Sequence, residues 1–289
     1  MKSRPRVRNE SLCCPVLAVS ALILLCAARK PGDPLKPTGL NFFSKQQDIQ
    51  LGQEAAAEVH KQVTVVQNPF LQDYIRRIGK RLAAQSEAGD WPFTFTVILD
   101  PAINAFALPG GPMFVNSGII ANAGSEAQIA GVMGHEMSHV ILRHGTKQAS
   151  KANLLQIPAA LAELVAGGSL LGKLAEIGLG LGANSVLLKY SRDDESQADA
   201  LGAHLMSEAG YNPVELAHFF EKIQAQTGSH TLQFLSDHPD PGNREQAIGA
   251  EIRTLPRQQY GYQTRDFDRA KAEVAKLPKP TPKASSPNR

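Results

Sequence analysis

Five consecutive residues near the middle of the chain combine metal-binding and acid-base side chains: His135-Glu136-Met137-Ser138-His139. On an α-helix, residues four positions apart lie one turn apart on the same face, so both imidazoles can bind a single ion. Histidine nitrogens suit Zn²⁺, and the carboxylate of Glu136 can take a proton from a water that the ion activates. The alternative is a pair of core or surface histidines that share this spacing by chance. The motif predicts one Zn²⁺ per chain, bound by His135 and His139.

A zinc site needs at least one more protein ligand, and an acidic run from Tyr190 to Asp199 offers candidates. Ser191 can cap a helix on which Glu195 and Asp199 share a face. Glu195 could bind zinc, while Asp199 could accept a hydrogen bond from a ligating imidazole and fix its tautomer. An acidic pair alone is weak evidence, because exposed acidic pairs are common. Together with the upstream motif, however, it predicts the third ligand and its partner.

The residues around the motif indicate a helix that presents it. Ser125 followed by Gln128 resembles a capping box. Apolar residues then recur at helical spacing: Ile129, Val132, Met133 and Val140. Gly145 is expected to end this helix as its C-cap, with Arg143 and His144 in the last turn.

Further helices and short strands are predicted before the motif. Helices are expected at residues 44–66 and 70–85, the second beginning after a cap at Asn68. Apolar residues alternate over 93–99, which predicts a strand, and two more short strands flank the Pro-Gly-Gly-Pro turn at 109–112. The predicted fold class is therefore α+β and mainly α-helical, with a small β-sheet beside the active-site helix.

The strand before that turn contains Asn104, Ala105 and Phe106. An exposed edge strand can pair with the backbone of an extended polypeptide, so these residues are candidate substrate contacts. An ordinary hairpin without a binding role is the simpler interpretation of the same pattern.

The first 28 residues have the pattern of a signal peptide. A basic segment precedes an apolar run from Leu12 to Leu25, and small residues follow it. The apolar run is shorter than the about 20 residues that a spanning helix prefers, although an uncleaved anchor and a lipidated cysteine are alternatives. All three cysteines lie in this segment, so the mature chain would contain neither disulfides nor cysteine ligands. The pattern predicts export to the periplasm.

Charge and composition indicate how the remaining chain is divided. Residues 1–28 contain four basic residues and one acidic residue, a net charge of +3 that equals the +3 of the whole chain. The mature chain is then about neutral, which predicts no nucleic-acid partner. The predicted divisions are a lead-in linker (29–43), a main domain that contains the zinc motif (44–256), a C-terminal helical extension (257–276) and a disordered Pro/Lys-rich tail (277–289).

Residues 153–188 are rich in Leu, Ala and Gly, but Glu163, Lys173 and Glu176 interrupt them. A helical hairpin packed beside the site is predicted rather than a membrane span. Peripheral contact of this stretch with a membrane surface is the alternative.

With these motifs the chain resembles the zinc endopeptidases that include HtpX and the CAAX prenyl endopeptidases, the M-48 peptidases. The resemblance covers roughly residues 45–255 and rests on four matches: Asn104-Ala105-Phe106-Ala107 to Gly111, His135 to His139, Arg192 through Glu195 to Asp199, and Ser236-Asp237-His238-Pro239 with Arg244 downstream. It implies a gluzincin-type fold in which the zinc ligands are His135, His139 and Glu195. It also implies that Glu136 is the catalytic base.

The role expected for His238 comes from the resemblance, which implies a position near the substrate oxyanion or as an extra zinc ligand in resting forms. Without it, a lone loop histidine is more often a solvated residue. Arg244 could orient Asp199, Glu195 or a substrate carbonyl, or could be a helix-surface residue. The remaining histidines match no motif and are expected at the surface or in the core: His60, His144, His204, His218 and His230.

Two departures from the family narrow the expectation. Membrane-embedded relatives have several spanning helices and some periplasmic relatives have a helical-repeat domain, and neither is found in this sequence. This implies the stand-alone exported periplasmic branch.

The metal motif together with the resemblance predicts hydrolysis of peptide bonds in extended polypeptides, and the resemblance implies that these are misfolded or misassembled cell-envelope proteins. Two alternatives are open: a zinc hydrolase of a non-peptide bond, and a chaperone or adaptor that keeps zinc as a structural ion without turnover. The sequence does not predict the oligomeric state.

Overall fold

The structure is a computed structural model that describes residues 29–154, 156, 169–176, 190–225, 238–239 and 243–278. The predicted signal peptide lies outside these residues, as do most of the stretch 153–188 and nearly all of the predicted tail. The described residues from Pro31 onward belong to one unit. Among the described residues, none of the helices combines the length and the hydrophobicity that crossing a membrane requires.

The described chain is mainly helical. Its α-helices are α1 (Lys45–Gln62), α2 (Pro69–Ala83), α3 (Ser117–Asn122), α4 (Glu126–Ile141), α5 (His144–Ala152), α6 (Leu170–Glu176), α7 (Arg192–Glu208), α8 (Val214–Ala225), α9 (Arg244–Ile252) and α10 (Asp266–Ala275). Its strands are β1 (Thr94–Ile98), β2 (Ala105–Ala107) and β3 (Pro112–Asn116), and a 3₁₀ turn spans Ser86–Ala88. The predicted fold class, α+β and mainly α-helical with a small sheet, is confirmed.

The first two helices begin at caps that their sequences specify. Ser44 forms a complete capping box with Gln47 at the start of α1, and the Asn68 side chain accepts hydrogen bonds from the first turn of α2. Helix α1 ends at Gln62, so its predicted end at residue 66 is wrong. The chain leaves the helix because Val65 forms a bridge with Ile98 and the Val66 N–H donates to the Val97 carbonyl oxygen at 3.0 Å.

The three strands form one sheet in the order β1-β3-β2. Strands β2 and β3 are antiparallel, with Ala105 opposite Val115, which confirms the predicted hairpin. Strand β1 pairs in parallel with β3 on its other side, which leaves β2 at an edge of the sheet. The hairpin turn requires glycine at Gly110, where φ is +79° and an added Cβ would lie 2.4 Å from the Cα of Ile49.

Helix α4 runs through the core, and every one of its residues except Ala127 and Ile141 is buried. It packs closely against α7 at a crossing of two glycines. A Cβ on Gly134 would lie 3.3 Å from the Gly202 carbonyl oxygen, and one on Gly202 would lie 3.1 Å from the His135 nitrogen. Because neither residue has a side chain, the two backbones approach closely and the polar faces of the two helices meet.

The predicted ends of α4 are only partly correct. Ser125 caps the helix by accepting from the Gln128 N–H, but the Gln128 side chain accepts from Gly124 rather than closing a capping box. The predicted C-cap at Gly145 is wrong. Helix α4 ends at Ile141, Arg143 adopts a left-handed conformation with φ of 59°, and α5 begins at the next residue.

The predicted C-terminal extension contains α10, which packs against α2 and α3. Its buried residues are Phe267 and Ala270. The boundaries assigned to the linker, the domain and the extension remain predictions.

Candidate metal centre and active site

Four buried side chains from three parts of the chain meet at the crossing of α4 and α7. They are His135 and His139 from α4, Glu195 from α7, and His238, which lies between α8 and α9 in the sequence. Each offers one ligand atom, and these atoms all lie within 4.8 Å of one another. All four side chains are at most 2% exposed. Among the described residues, this is the one group of side chains that could hold a metal ion.

The spacing of these atoms tests whether they fit an ion. The Nε2 atoms of His135 and His139 are 3.1 Å apart, and they lie 3.3 and 3.5 Å from the two carboxylate oxygens of Glu195. His238 Nδ1 is 3.3 Å from His135 Nε2 and 3.2 Å from a Glu195 oxygen. Ligands about 2.0–2.1 Å from a tetrahedral zinc ion are separated by about 3.3 Å. The donor set and its spacing therefore fit one zinc ion.

A buried carboxylate and a buried guanidinium hold two of these groups in place. Asp199 Oδ1 lies 2.9 Å from His135 Nδ1, as expected for the partner of a ligating imidazole. Arg244 donates from Nε to Asp199 at 2.7 Å and from Nη2 to Glu195 at 2.8 Å. Its guanidinium also lies 3.9 Å from the ring centre of Phe220. Arg244 is buried, which excludes the alternative of a helix-surface residue, and it lies where it orients both carboxylates.

Glu136 is fully buried beside the cluster, and its carboxylate differs from the others. Neither of its oxygens has a hydrogen-bond partner among the described residues. His238 Nε2 lies 3.2 Å from one of them, but this contact lacks hydrogen-bond geometry. Burial raises the pKa of Glu136, although positive charge on His238 and His135 opposes the shift. A fully buried carboxylate with no hydrogen bond of normal geometry among the described residues is costly, so its persistence here indicates a functional group.

The two histidines of α4 have opposite electrostatic environments. Burial disfavours the charged form of His135, but hydrogen bonds to Asp199 and Glu195 outweigh burial and raise its pKa to about 9. Burial holds the pKa of His139 well below its usual range, with Glu195 as a weaker opposing charge. The pKa of Glu195 lies well below its usual range because the charge of His238 and a hydrogen bond from His135 outweigh burial.

The edge strand β2 lies beside Glu136. Two backbone hydrogen bonds to β3 lie at the two ends of this strand. The Asn116 N–H donates to the Asn104 carbonyl oxygen at 3.0 Å, and the Leu108 N–H donates to the Pro112 carbonyl oxygen at 2.8 Å. Because paired residues alternate along an antiparallel ladder, the backbone of Phe106 faces β3, while the backbone groups of Ala105 and Ala107 face the open edge. The Ala107 backbone lies near enough to Glu136 to lower the pKa of that carboxyl group. Of the predicted substrate contacts, Asn104 and Phe106 therefore direct their backbone groups toward β3, and Ala105 directs its backbone groups toward the open edge.

Sequence reasoning missed two side chains that contact His139. The Tyr190 ring stacks on the His139 ring with centroids 3.7 Å apart and planes inclined by 18°. His144, assigned by default to the surface or core, is fully buried with its Nδ1 3.0 Å from His139 Nδ1. Only the chain reversal at Arg143 brings His144 back to His139, and no local pattern indicates that reversal.

The other histidines lie away from the cluster. His60 is exposed with its ring against Phe114, His204 contacts Glu87 and Glu251, and His218 contacts Glu215. His230 lies outside the described residues.

The described domain is mainly helical and contains a cluster of three histidine side chains and one carboxylate. Beside the cluster lies a glutamate without a hydrogen bond among the described residues. This is the architecture of a metal-dependent hydrolase. The sequence model of Peptidase family M48 matches residues 69–252. Because this match covers more than half of the chain, the chain belongs to peptidase family M48. The resemblance noted in the sequence is thereby confirmed, and membership of this metallopeptidase family implies a bound metal.

The chain is similar to several relatives in bacteria and mitochondria. It is 30% identical over 205 residues to the beta-barrel assembly-enhancing protease of Escherichia coli (strain K12), covering 68% of this chain and 42% of that protein. It is 34% identical over 177 residues to the mitochondrial metalloendopeptidase OMA1 of Schizosaccharomyces pombe, covering 61% and 51%. It is 29% identical over 203 residues to the metalloprotease LoiP of Escherichia coli (strain K12), covering 68% and 77%. The chain thus spans about half or less of the length of the first two relatives.

Proposed function

We propose that this protein is a zinc-dependent endopeptidase with one Zn²⁺ per chain, bound by His135, His139 and Glu195. The observation that carries the proposal is the fully buried carboxylate of Glu136, which has no hydrogen bond among the described residues and lies beside a cluster whose spacing fits zinc. A purely structural zinc site has no use for such a carboxylate. When bound, zinc supplies a Lewis acid that lowers the pKa of a water and polarises a carbonyl group.

In this mechanism Glu136 is the proton carrier. The pKa of this carboxyl group is raised toward neutral pH, and a group whose pKa is near the surrounding pH can both accept a proton and return it. As general base it takes the proton of the attacking water, and as general acid it delivers that proton to the leaving amine. Both Glu136 oxygens are without hydrogen bonds among the described residues, so accepting the proton breaks no hydrogen bond there.

His238 has two proposed roles that depend on its position. Here its Nδ1 lies within the cluster, which supports the role of an extra ligand in a resting form. Its Nε2 points toward Glu136, so a small displacement would leave His238 beside the reacting carbonyl as a donor to the developing oxyanion. Arg244 acts through Asp199 and Glu195, which it holds in orientation.

The substrate is proposed to be an extended polypeptide that adds a strand to the open edge of β2. The outward backbone groups of Ala105 and Ala107 provide its hydrogen bonds, and Ala107 lies next to the catalytic carboxylate. This arrangement favours a peptide bond over a non-peptide bond, because repeated backbone groups are the feature that an edge strand recognises.

The cellular setting is proposed from the relatives and from the sequence. Relatives named for β-barrel assembly support misfolded or misassembled cell-envelope proteins as substrates. The signal-peptide pattern of residues 1–28 supports export to the periplasm. Peripheral membrane contact through residues 153–188 is a further part of the proposal that the described residues leave untested.

The test uses the full chain and its Glu136→Gln variant. Zinc content is measured by atomic emission, and cleavage of unfolded casein is followed by gel and mass spectrometry. We expect one zinc in both proteins and internal cleavage of casein by the wild type alone. If both proteins bind zinc and neither cleaves casein, a His238→Ala variant tests whether His238 holds the site closed.

Outcomes that contradict the proposal are specific. Continued absence of cleavage in His238→Ala would favour the alternative of a zinc-stabilised chaperone or adaptor. Casein cleavage by Glu136→Gln at the wild-type rate would remove Glu136 from the mechanism.

A further inference from the structure

The two zinc-site histidines of α4 are held by chemically different partners. His135 directs its Nδ1 to the carboxylate of Asp199 at 2.9 Å. His139 directs its Nδ1 to another imidazole, the Nδ1 of His144, at 3.0 Å. Both contacts are buried. A neutral partner for one of two paired ligands needs an explanation, since carboxylates and carbonyl groups are the usual partners.

Proton placement follows from these distances. Of two ring nitrogens in hydrogen-bond contact, one must carry the proton and the other must accept it. His139 Nε2 faces the cluster, and a nitrogen that binds a metal carries no proton, so the proton of His139 belongs on Nδ1. His144 Nδ1 is then the acceptor, and the proton of His144 belongs on Nε2.

The surroundings of His144 suit this tautomer. Its Nε2 lies 3.6 Å from an Asp194 carboxylate oxygen, a contact too long for a hydrogen bond, and has no hydrogen-bond partner among the described residues. The negative charge of this carboxylate favours the proton on Nε2. Asp194 is itself buried and paired with Lys147, and it accepts from the Ser191 hydroxyl at 2.7 Å.

The backbone before His144 is held in an unusual conformation that places the ring. Arg143 is the one non-glycine residue with positive φ among the described residues. Its side chain donates to Asp48 at 2.6 Å and to the Phe43 carbonyl oxygen at 2.5 Å. These two contacts, with the first turn of α1 and with the residues just before it, offset the cost of a left-handed residue. The reversal turns α5 back so that its first residue meets His139.

We propose that His144 is a positioning residue for His139: it accepts the Nδ1 hydrogen bond that fixes the His139 tautomer and aims Nε2 at the metal. The inference rests on the metal site of the proposed function but not on peptidase activity. Tyr190, stacked face to face on the His139 ring, restricts the same ring. No motif position of the sequence marks His144 for this role.

The test compares two substitutions, each of which replaces only one of the two ring nitrogens of His144 with a polar atom. In His144→Asn the side-chain oxygen can occupy the place of Nδ1 and accept from His139. In His144→Gln the amide reaches the place of Nε2 and contacts Asp194, but no acceptor remains at Nδ1. The control is His204→Leu, which breaks one exposed and one partly buried contact outside the cluster.

Zinc affinity of each full-length protein is measured by competition with a chelator, and the site is probed by the visible spectrum of bound Co²⁺. We expect His144→Gln to bind zinc about 10- to 100-fold more weakly than the wild type, the usual effect of losing the partner of a ligating histidine. His144→Asn should stay within about threefold, with a Co²⁺ spectrum like that of the wild type. His204→Leu should lower the unfolding midpoint of the metal-free protein while its zinc affinity is unchanged.

Three outcomes would overturn the inference. His144→Gln could bind zinc as tightly as the wild type, the two His144 variants could weaken binding equally, or zinc affinity could follow the unfolding midpoint through all variants including His204→Leu. If His144→Gln is not recovered folded, His144→Leu serves in the same comparison with His144→Asn. A wild type that binds no zinc would instead contradict the proposed function itself.

Discussion

Helix α4 contains two completely buried glutamates, Glu126 and Glu136, whose carboxylates differ in their hydrogen bonding. Glu126, in the first turn, accepts from the Tyr211 hydroxyl at 3.1 Å and from the Thr264 hydroxyl. The positive end of the helix dipole also favours its negative charge. Glu136, in the middle of the same helix, has no hydrogen bond to either oxygen among the described residues.

The difference teaches how to separate a structural from a functional buried carboxylate. Both residues are equally inaccessible, so burial alone does not distinguish them. The distinction lies in their partners. Glu126 ties the C-terminal segment and the loop after α7 to the start of α4, whereas Glu136 contributes an unsatisfied group to a metal cluster. The first arrangement stabilises the fold, and the second costs stability in exchange for chemistry.

The largest expected effect is on turnover at Glu136. Glu136→Gln should lower casein cleavage by about 10³-fold or more, since general acid-base catalysis contributes on this order. The same change should leave the free energy of unfolding unchanged or raise it, because a neutral amide replaces an unsatisfied carboxylate. Turnover and urea unfolding at fixed zinc concentration are the measurements. A residual activity within tenfold of the wild type would contradict the comparison.

Glu126 should show the reverse pattern. Glu126→Ala should lower the free energy of unfolding by about 2–4 kcal/mol, because two hydroxyl groups lose a charged acceptor in the core. Turnover per folded molecule should not change. Tyr211→Phe, which removes one of the two donors, is the matched control and should cost about 1–2 kcal/mol. A loss of turnover in folded Glu126→Ala would show that this residue also serves the active site.

The open surroundings of Glu136 are expected to be completed by substrate, and this can be tested on the substrate alone. Peptides that are N-methylated at single positions near the cleaved bond should be cut about tenfold more slowly when the methyl group removes a hydrogen bond to Ala105 or Ala107. Methylation at the intervening positions should have little effect, because alternate backbone groups of a strand point away from its partner. Rates that show no alternation would contradict strand addition to β2.

The smallest expected effect concerns another buried glutamate, Glu251, whose partners include a histidine rather than a hydroxyl group. His204 Nε2 lies 2.7 Å from Glu251 and Nδ1 lies 3.1 Å from Glu87. Burial disfavours the imidazolium form, but these two hydrogen bonds outweigh burial and raise the pKa of His204 to about 9.

A raised pKa in the folded state means that this interaction stabilises fully below about pH 6.5, the unfolded pKa, and is lost as pH rises through about 9. His204→Gln should therefore cost on the order of 1–2 kcal/mol at pH 6 and progressively less toward pH 9. Urea unfolding of both proteins across this range measures the difference. A difference that grows with pH would contradict the assignment.

Local sequence patterns predicted the elements that supply the site. The motif around His135 lies on a helix because its apolar residues repeat at helical spacing, and Ser191 begins α7 by a capping box with Asp194. Glu195 and Asp199 share a face of α7 because they are four residues apart. The hairpin before α4 follows from its Pro-Gly-Gly-Pro turn. Each of these features depends on interactions within a few residues, which is why the sequence alone predicts them.

The end of α4 illustrates what local patterns could not predict. Gly145 is a reasonable C-cap by composition, yet the helix stops earlier because Arg143 is held in a left-handed conformation by Asp48 and Phe43. Those partners lie about a hundred residues earlier in the chain. The contact of His144 with His139 depends on that reversal, and so it was missed with it.

The amino-acid sequence by itself determined which chemical groups this protein possesses and on which helices they lie. The tertiary structure decided how far apart these groups are and which of them have no hydrogen-bond partner among the described residues. The close crossing at Gly134 and Gly202 brings the imidazoles of α4 to within about 3.5 Å of Glu195, a distance set by contact between two helix backbones. Glu136 lies beside this cluster, where His238 approaches it to 3.2 Å but no described residue gives it a hydrogen bond of normal geometry.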